Sequence, residues 1–203
     1  EMDEPIWVAT VFTKNRDRLL TQEVARSFFR RVVERAQPFM SDEHFTVDGT
    51  LIEAWASQKS CQRKDGADDT DGRNFHGQTR TNATHASKTD PDARLYRKSR
   101  NAEARLAYLG HVLMENRHGL VVDAMATTAD GTAERDAAML LLDQQPRGRR
   151  RTVGADKHFD THDFTTVSRD LGFTPHVSQN LKRTGGSAID ARTTRHDGYA
   201  VSQ

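Results

Sequence analysis

Apolar and polar positions change period several times along this chain, and each change marks an element. Residues 21–36 repeat apolar side chains at helical spacing, with Val24, Phe28, Val32 and Ala36 in one row and Phe29 and Val33 widening it. Thr21 is placed to cap this helix, Glu23 suits its positive end, and Pro38 stops it. Residues 44–50 switch to alternation, with Phe45 and Val47 between polar neighbours, which predicts a short strand whose tip carries Asp48 before Gly49. Leu51, Ile52, Ala54, Trp55 and Ala56 follow as an apolar run expected to pack on the sheet. Periodicity then vanishes from 57 to about 104, which predicts a long polar insertion.

Order returns with two apolar runs, 107–114 and 120–126, around the turn Asn116-Arg117-His118-Gly119, a hairpin pattern. Thr132 is positioned to cap a helix striped by Ala133, Ala137, Leu140 and Leu141 and ended by Pro146 and Gly148. After the basic run Arg147, Arg149, Arg150 and Arg151 comes a second short strand, 152–155, which also ends in an aspartate, Asp156. Asp160 and Thr161 are expected to cap a short helix through Phe164, Val167 and Leu171, and Gly172 closes it. A last strand, 174–178, tolerates Pro175 near its start, as an edge permits. The order strand, insertion, hairpin, helix, strand, helix, strand predicts an α/β fold: a mixed sheet flanked by helices. A crossover connection can set the strand bearing Asp156 beside the one bearing Asp48.

Composition changes this picture little. In 203 residues the formal net charge is +1, so any affinity for nucleic acid must come from local distribution. Between Arg73 and Glu103 there are seven basic residues (Arg73, Arg80, Lys88, Arg94, Arg97, Lys98, Arg100) against three acids (Asp90, Asp92, Glu103), a local 7 − 3 = +4. With Ser, Thr and Asn donors around them and Tyr96 able to stack, that segment suits phosphate contacts; a solvated linker is the competing reading. Cys61 is the single cysteine, which rules out an intrachain disulfide and points to a reducing compartment. No apolar run approaches the ~20 residues that span a bilayer, and no leader is visible, so the expectation is a cytoplasmic, nucleoid-associated protein with no membrane partner. The His158/His162 pair has Phe159 where a zinc protease carries glutamate, which argues against zinc.

Two strand-end carboxylates that meet in space can share a hard cation such as Mg2+, and that is the core of two-metal phosphodiester chemistry. Asp before Gly is also an ordinary turn pair, so spacing alone leaves both readings of Asp48 and Asp156 open. The residues Phe45-Thr46-Val47-Asp48-Gly49-Thr50-Leu51-Ile52-Glu53-Ala54-Trp55-Ala56-Ser57, the elements Asn74-Phe75-His76-Gly77 and Thr84-His85-Ala86-Ser87, the run Thr89-Asp90-Pro91-Asp92-Ala93-Arg94-Leu95, and Gly154-Ala155-Asp156-Lys157 together resemble DDE transposases of the bacterial insertion-sequence-five group. The likeness runs from about Phe12 to the end, including Asp190-Ala191-Arg192-Thr193-Thr194-Arg195-His196.

The resemblance implies a ribonuclease-H-like catalytic domain over 41–203, with an insertion at about 57–104, preceded over 1–40 by the end of a helical DNA-binding region. It implies Asp48 and Asp156 as catalytic, metal-binding carboxylates for Mg2+, with Mn2+ as a substitute. The expected partners are double-stranded transposon-end DNA and target DNA, and the working unit a homodimer. DNA contacts are expected from Arg73, Arg80, Arg97, Lys98, Arg100, Lys157, Arg192 and Arg195. The family's third carboxylate, a glutamate on a C-terminal helix, follows a stretch like Gly198-Tyr199-Ala200-Val201, and no glutamate comes after it before Gln203. The expectation is therefore a strand-transfer enzyme with two of its three ligands in this chain. The competing expectations are a DNA-binding remnant without activity, and a small nuclease in which Asp190 or Asp197 is the third carboxylate.

Overall fold

The computed structural model describes residues 22–66, 80–97, 101–148 and 151–203. The chain divides into two compact units, Glu1–Met40 and Ser41–Gln203. In the first, α1 (Gln22–Ala36) runs into a 3-10 turn, Gln37–Phe39, at Pro38. The predicted stripe is present, with Val24, Phe28 and Val32 exposed along it. Thr21, its expected cap, lies outside the described residues.

The second unit is built on a six-stranded mixed sheet. Its first strand, β1 (His44–Glu53), is central. The short strands β2 (Cys61–Arg63) and β3 (His85–Ser87) form a separate antiparallel pair. Next come β4 (Arg94–Tyr96) and the hairpin β5 (Arg105–Glu115) and β6 (Leu120–Thr128), which turns at Gly119 with φ of 68°. Then α2 (Ala133–Asp143), β7 (Arg151–Ala155), α3 (His162–Asp170) and β8 (Phe173–Val177) alternate. Two short helices, α4 (Ala191–Thr194) and α5 (Asp197–Val201), complete the chain.

Strand order across the sheet is β6-β5-β1-β7-β8, with β4 pairing the start of β5. The β6-β5-β1 half is antiparallel, and β1, β7 and β8 run parallel. Three antiparallel strands joined to two parallel ones through the first strand is the ribonuclease-H-like arrangement. Parallel neighbours need a covered crossover. Here α2 packs on β5 and β6, and α3 packs on β8 and on α2.

That helix-covered face holds the main core: Phe45, Val47, Leu113, Leu141, Leu142, Val153, Phe164 and Phe173 are all buried. Phe45 meets Phe173 edge to face at 5.7 Å, and Phe159 meets Phe164 at 5.1 Å. Arg151 opens β7 inside this core, its guanidinium 4.1 Å from the Phe173 ring centre, and burial lowers its pKa. This arginine, which in sequence looks like one more member of a basic run, is a packing residue.

Four expectations need correcting. Asp48 does not end its strand: the antiparallel ladder with β5 carries β1 on to Glu53, opposite Ala107. Leu51, Ile52 and Glu53 therefore belong to the sheet, and Trp55 beyond them is 96% exposed instead of packed. The 57–104 segment is not without structure, since β2, β3 and β4 lie in it; Ser87 Oγ and Ser60 Oγ hydrogen bond at 2.7 Å across the small pair. Finally, Thr132 makes no side-chain cap on α2, because Asp130 Oδ1 takes the N–H groups of Thr132 (2.8 Å) and Ala133 (2.7 Å) instead.

The β5–β6 turn is organised by Glu115, whose side chain is fully buried. Its carboxylate accepts N–H bonds from Ser41 (3.2 Å), Arg117 (3.1 Å) and His118 (2.7 Å). Burial alone would raise its pKa, but these backbone donors win and the net shift is downward. A carboxyl lowered in the folded state stabilises above its unfolded pKa, near ~4.3, and that contribution is lost as pH falls through the lower folded value. Glu115→Gln is expected to flatten the fall of stability between roughly pH 5 and 3, measured by urea unfolding at several pH values. A variant whose stability falls with the same slope as the parent would show that these bonds do not set the acid limit.

Candidate functional site

The parallel ladder between β1 and β7 pairs His44 with Thr152, Phe45 with Val153 and Thr46 with Gly154, then stops. The offset is constant at 108 (152 − 44), and Asp48 and Asp156 share it (48 + 108 = 156), two residues beyond the last pair, with Asp156 just past the end of β7. They border one cleft of about 550 Å³, together with Gly49, Tyr96, Glu134 and Arg135 among others. Asp48 also edges a smaller groove of about 180 Å³ with Thr46, Thr50, Val112 and Met114.

Each aspartate is held by one local bond and keeps an oxygen for a ligand. Asp48 Oδ1 accepts from Gly49 N at 2.8 Å. Asp156 Oδ1 accepts from His158 N at 2.6 Å, capping the 3-10 turn Lys157–Phe159. Both residues are exposed, as a site open to substrate requires.

Glu134 and Arg135 carry no sequence signal of function, since both read as the solvated first turn of a helix. The fold turns that first turn into the cleft. A side-chain carbon at Gly49 would sit 3.0 Å from Glu134 Oε1 and 3.2 Å from its Cγ, so the missing Cβ is the space the glutamate occupies. Tyr96, expected among the loop phosphate contacts, lies in β4 and forms another wall. Burial first, then Glu134 and Asp130, raise its pKa, which keeps the phenol protonated.

The donor chemistry suits a hard divalent cation: carboxylate oxygens, no thiolate, and a polar cleft with room for water. Among the described residues, however, no three His, Cys, Asp or Glu side chains are already drawn together as a metal set. Asp190, the alternative third carboxylate, is not on the cleft. Arg192 and Arg169 hold it, at 2.8 Å each, well below the usual carboxylate range. Asp160, another strand-end acid, is fully buried and serves the fold, while Thr161 Oγ1 caps α3 alone.

Of the expected DNA contacts, Lys157 follows Asp156 directly and is exposed. Arg80, Arg97 and Arg195 are exposed as well, and Arg192 spends its Nε and Nη2 on Asp190. Arg73, Lys98 and Arg100 lie outside the described residues.

Strand order defines the unit as a ribonuclease-H-like α/β domain. No protein-family model and no curated protein matches the chain. Among solved structures it is similar to the piggyBac transposase synaptic complex with hairpin DNA, at 10% identity and a TM-score of 0.39, over 80% of this chain and 28% of that one. It is also similar to a pre-cleavage Mos1 transpososome, at 12% identity and a TM-score of 0.33, over 72% of this chain and 39% of that one. The chain thus spans well under half the length of either. No helix among the described residues is long and apolar enough to cross a membrane.

Proposed function

We propose that the 41–203 unit is the catalytic domain of a DDE transposase of the insertion-sequence-five kind, cutting and rejoining transposon-end DNA. The observation that carries this reading is that Asp48, on β1, and Asp156, just past the end of the neighbouring parallel strand β7, border one cleft. Asp48 and Asp156 would hold Mg2+, or Mn2+ in its place. When bound, the ions supply charge stabilisation and a nucleophile at neutral pH. The chain supplies position. The pairing of β1 with β7 brings both carboxylates to the cleft, each accepts one backbone N–H, from Gly49 and from His158, and the walls would limit how a phosphodiester can enter.

The second reading is a DNA-binding unit without strand-cutting activity, favoured by the lack of a ready three-residue metal set among the described residues. A nicking assay on supercoiled DNA separates the two. Cleavage that needs Mg2+ or Mn2+ and stops with a chelator supports the enzyme. Tight DNA binding with no cleavage at any divalent concentration supports the binding unit.

A further inference from the structure

We infer that Arg135 is the residue of the cleft that holds a DNA phosphate, a role that rests on the cleft being the site of DNA chemistry. Arg135 sits in the first turn of α2 and borders the same cleft as Asp48 and Asp156. A cation there opposes the helix dipole. Folding does not obviously compensate for it. Other arginines of the unit are engaged: Arg105 with Glu53, Arg117 with Glu43, Arg169 with Asp190, and Arg151 on the Phe173 ring. Arg135 has no ion pair among the described residues. A hydrogen bond from Nη2 to the Gly131 carbonyl at 3.2 Å steadies the guanidinium. Arg135 helps lower the pKa of Asp130, but as the smallest cause, behind the Thr132 and Ala133 donors.

A guanidinium carries five N–H donors in a planar fork suited to phosphate oxygens. Here most of that fork is available, on the wall of a cleft whose other acidic groups repel a bare phosphate. The carboxylates need a cation to accept an anionic substrate, and Arg135 gives the same phosphodiester a second, permanent positive contact. A residue that violates a local preference without a stabilising partner is where function is to be sought. The ligand class is a nucleic-acid phosphate, held by charge and not by base identity.

The test is the salt dependence of binding of a fluorescein-labelled DNA duplex to the whole chain, with Ca2+ replacing Mg2+ so that no strand is cut. Arg135→Ala is expected to weaken binding several-fold and to make the slope of log K against log salt shallower by about 0.9, the share of one phosphate contact. Arg135→Lys should recover most of that slope. Arg147→Ala, at a residue paired with Asp143 away from the cleft, is the comparison. Circular dichroism of each variant separates a lost contact from a lost fold, and Arg135→Gln, neutral but close in length, carries the test with the same expected loss of slope if Ala unfolds. A slope unchanged in folded Arg135→Ala overturns the inference and leaves the cleft reading standing. A parent protein that does not bind DNA at all overturns both.

Discussion

Asp48→Asn and Asp156→Asn are each expected to lower DNA cleavage by roughly three orders of magnitude or more, the loss of several kcal/mol of charge stabilisation at about 1.4 kcal/mol per tenfold. These substitutions are unusually clean tests. Asp48 Oδ1 serves the fold only by accepting from Gly49 N, and an asparagine oxygen can accept the same bond. Asp156 Oδ1 caps a 3-10 turn through His158 N, and asparagine is as good a cap as aspartate. Unfolding free energy should therefore stay within about 0.5 kcal/mol of the parent. DNA affinity should hold or rise, because each change removes a negative charge that faces phosphate. Binding of Mn2+, followed by its paramagnetic signal, should weaken with the cleavage rate. Normal nicking by Asp48→Asn would remove the carboxylate pair from the mechanism.

The opposite pattern is expected at Asp160. Its Oδ2 accepts from Asn180 N at 2.6 Å and its Oδ1 from Ala188 N at 2.8 Å, while its own carbonyl takes a bond from Arg183. Burial pushes the carboxyl up, but the Asn180 N–H, the Ser187 hydroxyl, and the Ala188 and Ile189 N–H groups outweigh it, and the pKa falls. One buried side chain thus ties the end of β7 to the loop that leads into α4. Asp160→Ala leaves these donors without an acceptor, each at about 1–3 kcal/mol, for a total near ~3–5 kcal/mol. At about 2–4 °C per kcal/mol for a domain of this size, Tm should fall by roughly 10 °C. As the folded pKa lies below the unfolded one, the difference between parent and variant should be full at neutral pH and shrink below about pH 4. A Tm within two or three degrees of the parent would show that the loop is held by other means.

Much of the fold was legible because the relevant signals are local. The β5–β6 hairpin announces itself by two apolar runs around Gly119, and the last strand by Pro175 at an edge position. Misreadings came where distant partners decide. Asp48-Gly49 looks like a strand end, yet β5 keeps pairing with β1 for five more residues, to Glu53. Thr132 looks like a cap until Asp130 is seen to take both N–H groups. The polar 57–104 stretch hides β2 and β3 because strands of three residues are too short to establish alternation. As for the cleft, the two aspartates follow from strand order, whereas Glu134 and Arg135 do not. Their role depends on a helix start lying beside a glycine that is eighty-five positions earlier in the chain (134 − 49).

The three-rung ladder joining β1 to β7 has a consequence for length variation. The loops joining these strands can change length without moving either acid, because the approach of β1 to β7 is fixed by main-chain bonds a few residues before them and not by the intervening path. A slip of one rung is another matter: it would keep every strand and much of the hydrogen bonding, yet turn the side chain level with Asp48 to the opposite side of the sheet. A single-residue deletion within Arg151–Ala155 should therefore leave a folded, inert protein.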